Sequence, residues 1–228
     1  MSPSRMLEIA SARGLQVMAL TDHNSSLNCP AFAKLCPRFG IVPVFGMEAS
    51  TSEEIHVLCL FTNLDASLAF GEYAYSVMAA FPNDPAKGGD QVYVDEDDNI
   101  EGEVENYLLI PLSLSVEEIG AKVAEYSGIT IPAHVDRPAF SMSSQLGVIT
   151  PGPWAALECV RLPAAANGSP LDTLGYPLTT SSDAHYPEHI ARRPFHLDTS
   201  LEELQPQGPG TDADMEAFRK ALGRRPTE

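Results

Sequence analysis

Ile131-Pro132-Ala133-His134-Val135-Asp136-Arg137-Pro138 decides how this sequence is read. The apolar run ahead of it, Gly128-Ile129-Thr130-Ile131, has the character of a buried strand, and it runs out into a His, an Asp and an Arg before a proline stops it. Chargeable side chains at the exit of an apolar strand are what a site at the mouth of an α/β sheet or barrel needs. A single strand-end histidine is more often a packed residue than a ligand. The arrangement recurs, however. Leu20-Thr21-Asp22-His23-Asn24 ends one strand, Val44-Phe45-Gly46-Met47-Glu48 another and Thr179-Thr180-Ser181-Ser182-Asp183-Ala184-His185 a third, while His56 lies in the apolar run Ile55–Phe61. Agreement among these stretches points to one shared site.

The 228 residues suffice for one large α/β domain over residues 1–228 with a sizeable core. The formal charge of −17, with only 14 Lys and Arg, argues against a duplex nucleic-acid surface, because phosphate neutralisation needs clustered cations. Small anions at a metal-lined pocket remain compatible with it, since local cations override the net field. The four cysteines form no C-x-x-C pair; Cys59 and Cys159 sit in apolar runs as buried thiols, and Cys29 and Cys36 flank a short helix. No apolar run approaches the ~20 residues of a membrane span, and nothing resembles a signal peptide. The expectation is a soluble cytoplasmic protein with no membrane partner.

Ser2 and Pro3 open a helix whose apolar stripe runs to Gly14, and Leu15–Leu20 follows as a strand. A helix over 30–39, a strand over 41–45 with Gly46 allowing close backbone approach, the strand 55–61 and a helix capped by Asp65 and running to Phe81 come next. Residues 82–105 change character. Prolines and the Gly88-Gly89 pair break regular structure, and Asp95-Glu96-Asp97-Asp98 with Glu101, Glu103 and Glu105 is strongly acidic. The spacing does not fit an EF-hand loop, so this tract is read as a solvated insertion or lid with a small hairpin around Asp98-Asn99. Ser115-Val116-Glu117-Glu118 is a capping box opening an amphipathic helix. Strands at 129–138, 154–160 and 177–180 and a terminal helix at 215–222 complete an alternation that predicts parallel βαβ units.

His23, Glu48, His56, His134, Asp183 and His185 mix imidazoles with carboxylates. That set suits Zn²⁺, Mn²⁺ or Fe²⁺ better than Ca²⁺, which prefers oxygen shells, or structural Zn²⁺, which favours thiolates. Multinuclear hydrolases hold a nucleophilic oxygen between such metals for attack on phosphorus or carbonyl carbon. Arg137 is the candidate for a substrate phosphate, because a guanidinium fork fits its oxygens; Arg192 and Arg193 are alternatives. His189 and His196 are read as structural. No stacking aromatic stands out, so the leaving group is unread.

In order along the chain, Leu20-Thr21-Asp22-His23-Asn24, Gly46-Met47-Glu48, the strand His56, Pro132-Ala133-His134 and Ser182-Asp183-Ala184-His185 resemble the successive motifs of the polymerase and histidinol phosphatase (PHP) family, over roughly residues 2–198. The resemblance implies a distorted (β/α)7 barrel with up to three divalent metals at the C-terminal strand ends. It also implies a phosphoric ester hydrolase acting on a small phosphomonoester or nucleotide. Carried over, Glu48 bridges two metals, His56 and His134 serve one of them, Asp183 the other, and His23 and His185 the third; Asp22 orients its neighbours. Glu48, Asp183 and Arg137 are the residues expected to act on the ester.

The family begins with a strand ending in His-x-His, and this sequence starts at Met1-Ser2-Pro3, where the family continues into a helix. The expectation is therefore a barrel without its first strand, with fewer metals than three, and with exposed sheet edges inviting a homo-oligomer. A catalytically impaired metal- or phosphate-binding module is the alternative to an active enzyme.

Overall fold

The computed structural model describes residues 1–166 and 168–223; Asn167 and residues 224–228, within the domain expected over 1–228, lie outside the described residues. Ser2 precedes α1 (Pro3–Ala12), whose Met6, Leu7 and Ala10 are buried. β1 (Val17–Ala19) leads to α2 (Cys29–Phe39), which ends where Gly40 takes the left-handed φ of 66° that a Cβ would penalise. β2 (Val42–Ser50) is buried along its whole length and runs further than expected, so that Gly46 and Glu48 lie inside it. β3 (His56–Phe61) follows. α3 (Leu64–Ser76) is capped by Asn63, whose side chain accepts the Ala66 N–H, and not by Asp65. Asp65 sits in the first turn, where its charge complements the helix dipole.

The acidic tract holds α4 (Pro85–Gly88) and the antiparallel hairpin of β4 (Val92–Val94) and β5 (Ile100–Glu103). Asp95 shapes its tip by accepting the Asp97 and Asn99 backbone N–H groups. α5 (Val116–Glu125) starts on the expected capping box, with Ser115 and Glu118 each accepting the other's backbone N–H. β6 (Ile129–Pro132) stops short of His134. After it come α6 (Met142–Gln145), β7 (Leu157–Glu158), a minor hairpin of β8 (Ala165–Ala166) and β9 (Ser169–Pro170), then β10 (Leu178–Thr179), α7 (Leu201–Leu204) and α8 (Met215–Gly223).

The main sheet has the order β1-β2-β3-β6. β1 and β2 pair in parallel, as do β7 and β10, but β2–β3 and β3–β6 are antiparallel. The expectation of parallel units throughout is thus corrected. The Thr51–Ile55 connection is too short for a crossover and can only return the chain as a hairpin. The Thr130–Trp154 bridge and the Val135 N–H donated to the Glu158 carbonyl carry the sheet on from β6 to β7.

Two faces follow from this pairing. α3 and α5 cover one, where Met47, Val57, Phe61, Phe70, Ile119 and Val123 are buried together. On the other, Val44, Leu60, Ile129 and Ile131 meet Leu204, Phe218 and Leu222 of α7 and α8. Each such side chain, fully buried, contributes roughly 1.5–3 kcal/mol. The two C-terminal helices therefore seal the end of the sheet where β2 and β6 begin, and leave open the end where they finish. A cavity of about 390 Å³ lies between β1 and the segment after β10, lined by Leu15, Met18, Leu20, Thr180, Ser182 and Phe195 among others.

Candidate metal centre

Glu48 gathers imidazoles at the open end. In β2 it stands opposite Leu58 of β3, and one step on Ser50 stands opposite His56, so Glu48 and His56 project from the same face of the hairpin. Glu48 Oε1 lies 3.2 Å from His56 Nδ1 and 3.2 Å from His134 Nε2, and Oε2 lies 3.4 Å from His23 Nδ1. His23 reaches it because Leu20–Asn24 continues the β1–β2 ladder: the Glu48 N–H donates to the Asp22 carbonyl and the Asn24 N–H to the Glu48 carbonyl. Ligating atoms of His23, Glu48 and His56 all lie within 4.8 Å of one another. His134 has left the strand and sits at a φ of 33°, which turns its ring back towards Glu48.

Burial pushes the Glu48 carboxyl up, but the hydrogen bonds with His134 and His56 and the nearby imidazoles outweigh it and hold Glu48 well below the usual carboxylate range. Burial drives His23 below its ordinary value against the pull of Glu48. At neutral pH the centre therefore presents a carboxylate anion beside a neutral His23 imidazole. His134 Nδ1 is buried without a hydrogen-bond partner among the described residues, an arrangement that costs free energy unless something else takes the lone pair.

Asp183 and His185 complete a connected cluster. The His185 ring lies 5.8 Å from His23, and its Nδ1 is 3.4 Å from Asp183 Oδ1. Asp183 Oδ2 accepts from Arg137 Nη1 at 3.1 Å, so the arginine expected on a phosphate rests on this carboxylate. Arg192 and Arg193 do neither job. Their Nε groups donate to the Ser182 and Ser181 carbonyls and hold in place the segment that carries Asp183. His189 packs edge-on against Tyr186, away from Glu48.

Behind the ligand-type residues lies a shell of buried acceptors. Asp22 accepts from Asn28 Nδ2 at 2.9 Å, and burial raises its carboxyl against that bond. Glu158, 3% exposed on β7, accepts the His134 backbone N–H at 3.0 Å and the Ser181 hydroxyl. Burial raises its carboxyl too, with the Ser181 bond working the other way. Glu158 escapes a reading of the sequence because it looks like one polar residue in the apolar run Trp154–Val160; its signal was a carboxylate where a buried strand offers no water. Phe140 escapes as well, hidden in a Ser/Met/Gly loop. Its ring stacks on His56 at 4.9 Å with 19° between the planes.

The PHP domain profile matches residues 1–109. No curated protein matches the chain. Among solved structures the chain is similar to the lesion-specific endonuclease Q of Pyrococcus furiosus, at 18% identity and a TM-score of 0.54 over 98% of this chain and 51% of that one. It is equally similar to endonuclease Q in complex with a 27-mer duplex carrying an abasic lesion at the active site (18%, 0.54, 97% of this chain and 51% of that one). A candidate metal-dependent phosphoesterase from Bifidobacterium adolescentis matches at 16% identity and a TM-score of 0.53, over 97% of this chain and 90% of that one. The chain spans about half the length of the endonuclease. At these identities the likeness shows the fold.

One expectation is overturned by these matches. The net charge was read as excluding duplex nucleic acid, yet endonuclease Q, which shares this fold, holds a duplex at its active site. A total of −17 says little about the field at one mouth of the sheet, because local cations set the potential a phosphate meets there. Six of the 31 acidic residues sit out on the hairpin of residues 92–103. No helix among the described residues is long and apolar enough to cross a membrane. The mixed α/β architecture and a His/Glu/His cluster suited to divalent metals accompany the match of residues 1–109 to the PHP domain, which is what this chain is similar to.

Proposed function

We propose that the chain is a metal-dependent phosphoesterase hydrolysing a small phosphomonoester or nucleotide, with its main sheet as part of the wall of a distorted (β/α)7 barrel. The observation that carries this reading is Glu48, whose two oxygens face three imidazole nitrogens at 3.2–3.4 Å. Glu48, His56, His134 and His23 would hold divalent metal, with Asp183 and His185 as outer ligands. When bound, such ions polarise a phosphoryl oxygen and supply a nucleophile at neutral pH. Glu48 stays ionised throughout the physiological range, so it serves as a ligand and not as a proton donor. Arg137, 40% exposed, is close enough to the centre to exchange Asp183 for a phosphate oxygen and to balance charge there.

The likeness to endonuclease Q favours a second reading, cleavage of a phosphodiester in lesion-bearing DNA. Zn²⁺, Mn²⁺ and Fe²⁺ should each be tested by elemental analysis and by turnover of an aryl phosphate, beside an abasic 27-mer duplex. Metal-dependent turnover of the aryl phosphate, falling about 100-fold or more in Glu48→Gln, is the expected result. Cleavage of the duplex alone would favour the second reading. Metal uptake with turnover of neither would reduce the chain to a binding module.

A further inference from the structure

We propose that Phe140 is the platform on which the substrate's leaving group stacks, and that this group carries a flat heteroaromatic ring of nucleobase type. The inference rests on the phosphoesterase reading and adds the feature that reading leaves open, what the enzyme recognises beyond the phosphate.

Phe140 borders the centre through His56. One face of its ring stacks on His56, whose own nitrogen is 3.2 Å from Glu48 Oε1. The side chain is nevertheless 43% exposed, and His56 is its only ring partner among the described residues. Burial is available nearby: Ala133, Val135 and Met142, on the same stretch of chain, are fully buried, while Phe140 is held out. The loop has to adopt a left-handed φ of 56° at Phe140 to do this, a conformation that bulky side chains rarely take.

The platform is also rigid. The His56 N–H donates to the Phe140 carbonyl at 3.0 Å, so backbone and ring are both fixed to β3. Just after it, Ser141 Oγ donates to the Arg137 carbonyl at 2.7 Å and Ser143 Oγ to the Val135 carbonyl at 2.5 Å. Arg137 and Phe140 are thus presented by one tied loop, and three residues of chain span at most about 10 Å. A cation for phosphate and a ring for stacking, so spaced, fit a single nucleoside monophosphate. Each base has a π-face, so a stacking platform would favour nucleotides over phosphates lacking a base without choosing strongly among bases.

The test compares adenosine 5′-monophosphate with ribose 5-phosphate, which differ by the base alone, on the metal-loaded full chain, by calorimetric binding and by kcat/KM. The wild-type protein should favour the nucleotide by about 5- to 100-fold. In Phe140→Leu that ratio should fall towards one with metal content unchanged, and Phe140→Trp should keep or raise it. Equal affinities in the wild type, or a ratio that Phe140→Leu leaves intact, would overturn the platform while sparing the phosphoesterase. Failure of the wild type to bind either phosphate would remove the underlying reading and the platform with it.

Discussion

At the scale of single residues, the centre is held by groups that never touch a ligand. Glu158 accepts the His134 backbone N–H, and Asp22 lends its carbonyl to Glu48 and its carboxylate to Asn28. Neighbours of this kind orient ligands, and losing one typically costs 10–100-fold in metal affinity. Glu158→Gln keeps an acceptor but puts an amide N–H beside the His134 N–H or the Ser181 hydroxyl. Mn²⁺ affinity, followed by titration calorimetry, should drop by about 10-fold or more while the circular dichroism stays native. An unchanged affinity would show that the His134 backbone is held by the sheet alone. Several residues around the centre also share a costly backbone conformation. Asn24, His134, Phe140 and Asp183 have φ values of 47°, 33°, 56° and 44°. Each costs on the order of 1–3 kcal/mol, which the surrounding hydrogen bonds must offset.

At the scale of elements, the acidic hairpin is clasped to the centre by two asparagines of one loop. Asn28 accepts the Val94 N–H at 3.1 Å with its side-chain oxygen while donating to Asp22. Asn24 donates to the Leu108 and Ile110 carbonyls and accepts the Ser50 N–H. The entry and exit of the insertion are thus tied to the strand ends that carry His23 and Glu48. Asn28→Ala should release β4 without unfolding the sheet. Amide exchange over residues 92–103 should accelerate about 5- to 10-fold, as expected for a lost hydrogen bond of about 1 kcal/mol. Unaltered exchange there would mean that the Lys34–Glu96 and Ser4–Asp98 contacts anchor the hairpin by themselves. Strands and helices were largely legible at this scale: the capping box at Ser115 and the glycine stop at Gly40 act through neighbouring residues only. The direction of β3 was not, because it depends on the length of a turn and on what the returning strand packs against.

At the scale of the whole molecule, the four cysteines are all free and at most 1% exposed. Burial pushes the thiols of Cys29, Cys36 and Cys159 up to about 12 from 9.0, and Cys59 higher still. The sign follows directly. The unfolded chain releases these protons near its ordinary thiol value and the folded chain keeps them. The associated stability is therefore complete below about pH 8 and is lost as pH rises through the range from about 9 to 12. Urea unfolding at pH 7.5, 9 and 10.5 should give a falling free energy. Native thiols should also resist a thiol reagent that modifies all four after unfolding. Rapid modification of the native chain at pH 8 would contradict the burial.

The sequence by itself determined which residues could carry chemistry. Donor atoms at the ends of apolar runs are a local pattern, set by residue type and spacing, and His23, Glu48, His56, His134, Asp183 and His185 could all be named from it. Only the tertiary structure decided who faces whom. It set His23 opposite Glu48 Oε2, laid Arg137 on Asp183, buried Glu158 beneath His134 and held the Phe140 ring against His56. Contacts of this kind join residues far apart in the chain, His134 and Glu48 being 86 positions apart. They depend on strand direction, register and left-handed turns, which no single stretch of chain specifies.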